Sequence, residues 1–251
     1  MAAPFIIWTM RRTGGTSFAN ILQKITDCQL EHEPFNWDRT LGFITQGFKN
    51  DRDNFDFFAS SLQQSCIDKQ ICLKHCYEII GPVFSECLIE VLSKTNYKHI
   101  FLLRRNELSR LLSLYTAKYT DVWGKHGSQE IYEQYFNGEK KLPLYDIEDM
   151  KKHLWVCNHR TKTLKEKMSD CNISFLEIYY EDLYSGNFEQ RKQFLKNICN
   201  HIEISSESFE NNTEDLKYLL MKANQKSNNL YDLIPNLKEI KEIFSVQSVN
   251  V

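Results

Sequence analysis

The stretch Phe5–Asn20, FIIWTMRRTGGTSFAN, constrains the fold more than any other part of the chain. Phe5-Ile6-Ile7-Trp8 is an apolar run of the size of a buried strand, and it is too short to cross a membrane. Arg11 and Arg12 follow, then the small-residue turn Thr13-Gly14-Gly15-Thr16-Ser17. Phe18, Ile21, Leu22 and Ile25 then recur at helical spacing. A strand, a glycine turn and a helix start make an anion site. Glycines let the backbone approach a ligand, the first helical N–H groups have no intrahelical acceptors, and the helix dipole favours negative charge there. Thr16 and Ser17 add hydroxyl donors, and Arg11 and Arg12 add fixed positive charge. A phosphate or sulfate group suits such a site. The alternative is a plain strand-to-helix turn flanked by two solvated arginines.

Two familiar nucleotide signatures do not fit. The kinase-type loop G-x-x-x-x-G-K-[ST] carries its lysine after the glycines, whereas here the cations precede them and no lysine follows. The dinucleotide fingerprint G-x-G-x-x-G is also missing.

A second segment, Lys98–Lys118, reads KHIFLLRRNELSRLLSLYTAK. Ile100–Leu103 forms a second buried strand pattern, and Arg104 and Arg105 stand at its C-terminal end, where open α/β sheets bind ligands. Leu108, Leu111, Leu112 and Tyr115 mark the helix that follows, with Ser113 eight positions after Arg105. A third segment, Phe175–Leu183, reads FLEIYYEDL.

Together these segments resemble the sulfotransferases that use 3′-phosphoadenosine 5′-phosphosulfate (PAPS). In that family a [K/R]-[S/T]-G-x-[T/S] loop binds the 5′-phosphosulfate, and Arg12-Thr13-Gly14-Gly15-Thr16 is similar to it. A strand-end arginine and a helix serine eight residues on bind the 3′-phosphate, which implies Arg105 and Ser113. The strand ending in Y-E-D-[L/M] implies that Tyr180 lies near the adenine. The resemblance runs over about residues 5–185 in the family's order. The basic glycine-rich loop of the cytosolic small-molecule enzymes has no clear copy here. Lys222–Asn229 is the nearest basic and polar stretch, which points to the bacterial or carbohydrate-type branches.

The resemblance also implies roles. Sulfuryl transfer, like phosphoryl transfer, is an in-line attack in which charge builds on the leaving oxygen. Arg12 stands in the place of the family's lysine, and an arginine there acts by charge rather than by giving a proton. The base is open. His75, after Lys74, is similar to the K-x-H segment of the cytosolic enzymes but one residue shorter. Glu33, in His32-Glu33-Pro34, occupies the region from which some carbohydrate sulfotransferases take a glutamate base, with His32 behind it. Glu181 and Asp182 are expected to orient arginines or cap structure. The implied sulfuryl donor is PAPS, with 3′-phosphoadenosine 5′-phosphate (PAP) as product and no metal. The implied acceptor is a hydroxyl on a carbohydrate, a glycolipid or a small metabolite. Two rivals remain: a nucleotide-kinase-like enzyme, and an inactive nucleotide-binding or interaction module on the same fold.

Composition bounds the rest. A chain of 251 residues suits one α/β domain, with helical or loop elaborations at about 121–170 and 205–251. The expected architecture is a three-layer α/β/α sandwich with a central parallel sheet, similar to the P-loop NTPases. A net charge of −2 argues against a general nucleic-acid or anionic-membrane binder, so any basic character must be local, as at Arg11, Arg12, Arg104 and Arg105. None of the eight cysteines lies in a C-x-x-C pair, so no zinc site is indicated, and reduced thiols in a cytoplasmic protein are expected. No run reaches transmembrane length.

Between the motifs, strands are expected at about 28–33 and 70–75, and helices at about 40–48, 55–67 and 82–92. Farther on, 121–144 reads as a loop with a short helix, followed by a long helix over 146–168, a strand over 173–180 and a helix over 187–201. The tail carries helical pattern over 215–223 and 230–244, broken at Pro235.

Overall fold

The computed structural model describes residues 2–26, 28–48, 54–124, 128–205, 209–210, 213–221 and 227–247. The chain divides into two compact units, one of Met1–Arg105 with Cys157–Lys222 and one of Asn106–Val156 with Ala223–Val251.

The first unit is built on a five-stranded parallel sheet. The strands are β1 (Phe5–Thr9), β2 (Leu30–His32), β3 (Cys72–Cys76), β4 (Lys98–Leu103) and β5 (Phe175–Tyr179). Their order is β2-β3-β1-β4-β5. β1 is therefore central, and the chain steps first to one side of it and then to the other. The crevice beyond the carboxyl end of β1 is the switch point at which open parallel sheets take their ligands. Ile7 pairs with Lys74 on β3 and with Ile100 on β4, so the ends of β3 and β4 flank the turn that follows Thr9.

β1 is buried throughout because both faces of the sheet are covered, and it is apolar up to Thr9. Alternate residues enter different cores, as the period of a strand requires. Ile6, Trp8, Leu73 and Phe101 join Ile44 of α2 (Gly42–Gly47), Phe58 and Leu62 of α3 (Phe55–Leu62) and Phe84 and Leu88 of α4 (Pro82–Leu92). Phe5, Ile7, Cys72, Ile100 and Leu102 join Phe18, Leu22 and Ile25 of α1 (Gly15–Thr26), with Leu195 and Ile198 of the helix Phe188–His201. This is the expected α/β/α arrangement.

Local chemistry sets the helix ends. Pro82 opens α4 in its first turn, where its missing N–H costs nothing. The helix Phe188–His201 starts on a capping box in which the Asn187 side chain accepts from the Gln190 amide and the Gln190 side chain accepts from the Asn187 amide. The expected helix over 55–67 is α-helical only to Leu62 and continues as a π turn, Gln63–Ile67. β2 is shorter than the strand expected over about 28–33, as befits an edge strand with one neighbour.

The second unit is helical. Asn106 caps the helix Glu107–Thr120 by accepting from the Ser109 amide at 2.8 Å. Leu111, Leu112 and Tyr115 pack with Tyr132, Tyr145, Leu230 and Ile240. Asn236 pins the Tyr145 backbone through two bonds, 3.0 Å from the Tyr145 amide and 2.9 Å to its carbonyl. The expected interruption at Pro235 separates the 3₁₀ turn Ser227–Leu233 from the helix Leu237–Gln247. Part of the basic stretch Lys222–Asn229, residues 222–226, lies outside the described residues. Among the described residues no helix is long and apolar enough to cross a membrane, and none of the eight cysteines forms a disulfide.

Phe84 is the keystone of the aromatic core. It is fully buried, with ring centroids 4.9 Å from Phe58 and 5.1 Å from Phe35. Phe84→Ala is expected to destabilise the protein by about 3–5 kcal/mol, read as a lowered urea midpoint at unchanged slope.

Candidate active site

The turn after β1 is held in an unusual conformation. Arg12 and Gly14 both have positive φ, 66° and 81°. Gly14 lies under the Tyr180 ring, and a Cβ there would come within 2.5 Å of Tyr180 Cδ2. Gly15 faces Thr9, whose Cγ2 would lie 3.0 Å from a Cβ at position 15. Both glycines are therefore needed for close approach. Thr13 is fully buried, donates to the Met10 carbonyl at 2.7 Å and touches the Thr9 hydroxyl. Its hydroxyl closes the turn. The Phe18 amide donates to the Gly14 carbonyl at 3.0 Å, so the helix starts at Gly15, immediately after Gly14. The amides of Gly15, Thr16 and Ser17 form its first turn, where helix geometry provides no intrahelical acceptors. Thr16 is exposed and Ser17 half-buried.

A cation reaches this turn from β3. Lys74 Nζ is 3.2 Å from Thr16 Oγ1 and 2.5 Å from Glu33 Oε1, and its side chain is 4% exposed. Glu33 follows β2 with φ of 52°, and its amide donates to the Lys74 carbonyl at 2.7 Å. Its second carboxylate oxygen accepts from Asn36 Nδ2 at 3.2 Å. Glu33, Lys74 and Thr16 thus form one polar line from the end of β2 to the first turn of α1. His32 pairs with Lys74 across the β2–β3 ladder. Burial, then the Lys74 charge, lower the pKa of His32, which keeps it neutral near pH 7.

The other flank is built by β4 and the helical turn Tyr180–Tyr184. Arg104 Nη1 donates to the Arg12 carbonyl at 2.9 Å, and its guanidinium lies 4.7 Å from the Tyr180 ring centroid. Tyr180 packs against Tyr184 with ring centroids 4.7 Å apart and planes tilted by 36°. Arg105 is paired bidentately with Asp182 at 2.6 and 2.8 Å, lies 4.0 Å over the Tyr179 ring, and its backbone amide donates to Glu181. Its hydrogen bonds to the Asp182 carboxylate raise the pKa of Arg105 above its ordinary value. Ser113 stands on the helix Glu107–Thr120 of the second unit and is buried.

A comparison with protein-family models matches residues 77–230 to Stf0 sulphotransferase. The chain belongs to the Stf0 sulphotransferase family. The matched span holds Arg105, Ser113 and Tyr180, while the turn Arg11–Ser17, Glu33 and Lys74 precede it. Among solved structures, a sulfotransferase from Alicyclobacillus acidocaldarius aligns over 97% of this chain and 96% of its own, at 11% identity and a TM-score of 0.44. That likeness is too distant to add to the assignment. A comparison with curated proteins finds no match.

Within this sulfotransferase, the structure gathers Arg12, Gly14, Gly15, Thr16, Ser17, Glu33 and Tyr180 around one turn. It does not bring His75 there. His75 is one position beyond Lys74 and so points into the opposite core, 1% exposed, between the Trp8 and Phe35 rings, with Nε2 3.0 Å from Ser85 Oγ. Arg11 is engaged elsewhere, with its Nε 2.5 Å from Glu78. Lys74, Glu78 and Arg104 gained no site role from sequence. Lys74 had a signal: a lysine inside a strand buried on both faces must find a partner.

Burial pushes the His75 imidazole down to about 3. Its unfolded value is about 6.5, so as pH falls from 6.5 towards 3 the unfolded state takes the proton first and stability is lost. The loss from this one group is about 2 kcal/mol at about pH 5 relative to neutrality. His99, lowered to about 4 by burial, adds loss of the same sign. Urea unfolding of His75→Gln is expected to show a shallower loss between about pH 7 and pH 5 than the unmodified protein.

Proposed function

We propose that this sulfotransferase takes its sulfuryl group from PAPS and passes it to a hydroxyl of a carbohydrate, glycolipid or small-molecule acceptor. The observation that carries the reading is the line Glu33–Lys74–Thr16, which sets a carboxylate and an ammonium beside the first turn of a helix that follows a glycine turn. The ammonium supplies, from the neighbouring strand, the cation that the turn itself lacks after its glycines.

In this reading the amides of Gly15, Thr16 and Ser17 hold the 5′-phosphosulfate. Lys74 and Arg12 balance charge on the phosphate oxygen as the sulfur–oxygen bond breaks. The acceptor oxygen attacks sulfur in line, PAP leaves, and the hydroxyl proton passes to Glu33, whose side chain is 25% exposed. The positive charge that transfer requires comes from side chains and a helix N-terminus, so no metal is assigned a role. Tyr180 lies beside the turn, and in this reading the adenine packs near it. Arg105 and Ser113 keep the 3′-phosphate role that the family pattern implies. A 3′-phosphate would then compete with Asp182 for the Arg105 guanidinium. We further propose that residues 1–251 work as one sulfotransferase domain, and that the protein is cytoplasmic, a reading supported by eight cysteines without a disulfide.

Two measurements test this. Calorimetric titration is expected to show binding of PAP in preference to ATP or AMP, weakened about ten-fold or more by Arg105→Ala. Preference for ATP, or no binding of PAP, would sink the donor assignment. Glu33→Gln is expected to lower kcat by about 10²–10⁴ with PAP affinity within two-fold of the unmodified protein. Retention of full kcat would remove Glu33 as the base.

A further inference from the structure

Arg12 is an arginine held in the left-handed region, with φ of 66°. A side chain there carries a conformational cost that glycine would escape, and such residues persist only where their surroundings over-determine them. The backbone around Arg12 is held by two charged side chains, one at the Arg11 amide and one at the Arg12 carbonyl. On the β3 side, Glu78 Oε1 accepts from the Arg11 amide at 2.8 Å and from Arg11 Nε at 2.5 Å. On the β4 side, Arg104 Nη1 donates to the Arg12 carbonyl at 2.9 Å. β3 and β4 are the two neighbours of β1, so the turn is gripped from both flanks.

Glu78 is itself fixed. Its side chain is 2% exposed, its Oε2 accepts from the Cys157 thiol at 3.3 Å, and its carbonyl accepts from Arg160 Nη1 at 2.6 Å. The Tyr77 amide beside it donates to the Thr9 carbonyl at 3.2 Å, which ties this turn to the end of β1. Burial works against the Arg11 charge, yet Glu78 outweighs it and holds the guanidinium above its ordinary pKa. A carboxylate buried this deeply is not a solubility device. Its place is set by the amide and guanidinium it holds.

We propose that Glu78 and Arg104 form a charged clamp that presets the anion-binding turn, with Glu78 a positioning residue for the sulfuryl donor. The clamp fixes Arg12 before the donor arrives, so the ordering of the turn is not drawn from binding energy. Arg11 belongs to the clamp and not to the ligand. The consequence for catalysis rests on the donor site proposed above, whereas the clamp itself does not.

Hydrogen exchange of the ligand-free protein and calorimetric titration with PAP, applied to Glu78→Gln and Glu78→Asp, separate the two. Glu78→Gln is expected to speed exchange of the amides over residues 11–15 about ten-fold or more. It is expected to weaken PAP binding and raise the donor KM by about ten-fold, with kcat within about two-fold. Glu78→Asp, which keeps the charge, is expected to recover most of both losses. Should Glu78→Gln fail to fold by circular dichroism, Glu78→Asp is read instead, with a smaller increase in exchange confined to the turn. Unchanged exchange over residues 11–15 would overturn the clamp. Faster exchange with unaltered PAP affinity would overturn its positioning role. If the unmodified protein does not bind PAP, the donor assignment fails while the exchange comparison still decides the clamp.

Discussion

A buried ammonium governs the site. Lys74 lies inside a parallel sheet covered on both faces, where an unpaired charge would cost several kcal/mol. Glu33 answers that charge at 2.5 Å, and the geometry of the answer organises the neighbourhood. To reach Lys74, the chain leaves β2 with a left-handed Glu33 whose amide donates back to the Lys74 carbonyl. The same ammonium touches Thr16, so one charge links the ends of β2 and β3 to the first turn of α1. A surface pair of the same composition would contribute little and would fix nothing.

The two-residue period of a strand separates function from structure within Lys74-His75. Lys74 belongs to the face covered by α1, where the glycine turn opens. His75 belongs to the face covered by α3 and α4, where Phe35 and Phe84 surround it. A histidine is the usual first choice for a base near neutral pH. Here burial depresses its affinity for a proton, and Ser85 takes its Nε2. The residue that resembled a family base is part of a core, and its neighbour carries the charge.

Four arginines cluster near the crevice, and carboxylates divide their roles. Arg11 is held by Glu78 and Arg105 by Asp182, while Arg104 donates to the Arg12 carbonyl. The Arg11 and Arg104 bonds shape the turn, and the Arg105 pair stands at a half-exposed guanidinium. Positive charge at the site is therefore graded by partner and burial, which a count of basic residues does not reveal. The expectation that Glu181 and Asp182 orient arginines agrees with their bonds to Arg105.

Much of the fold is legible in the chain because it rests on local rules. Apolar runs at 5–8 and 100–103, helical spacing from Phe18 to Ile25, Pro82 at a first turn and the break at Pro235 all report on their own neighbourhoods. The glycine turn, with its strand before and helix after, is likewise local, and so an anion site is legible there. The partners are not. Whether Arg11 meets an anion or Glu78, whether Lys74 meets Thr16, and which core receives His75 depend on strand order and register between segments 58 to 92 residues apart. The sequence by itself determined the elements and the glycine turn, since backbone conformation follows from neighbouring residues. Only the tertiary structure decided which charges face one another, because Coulomb and hydrogen-bond energies depend on distances in space that sequence spacing does not set.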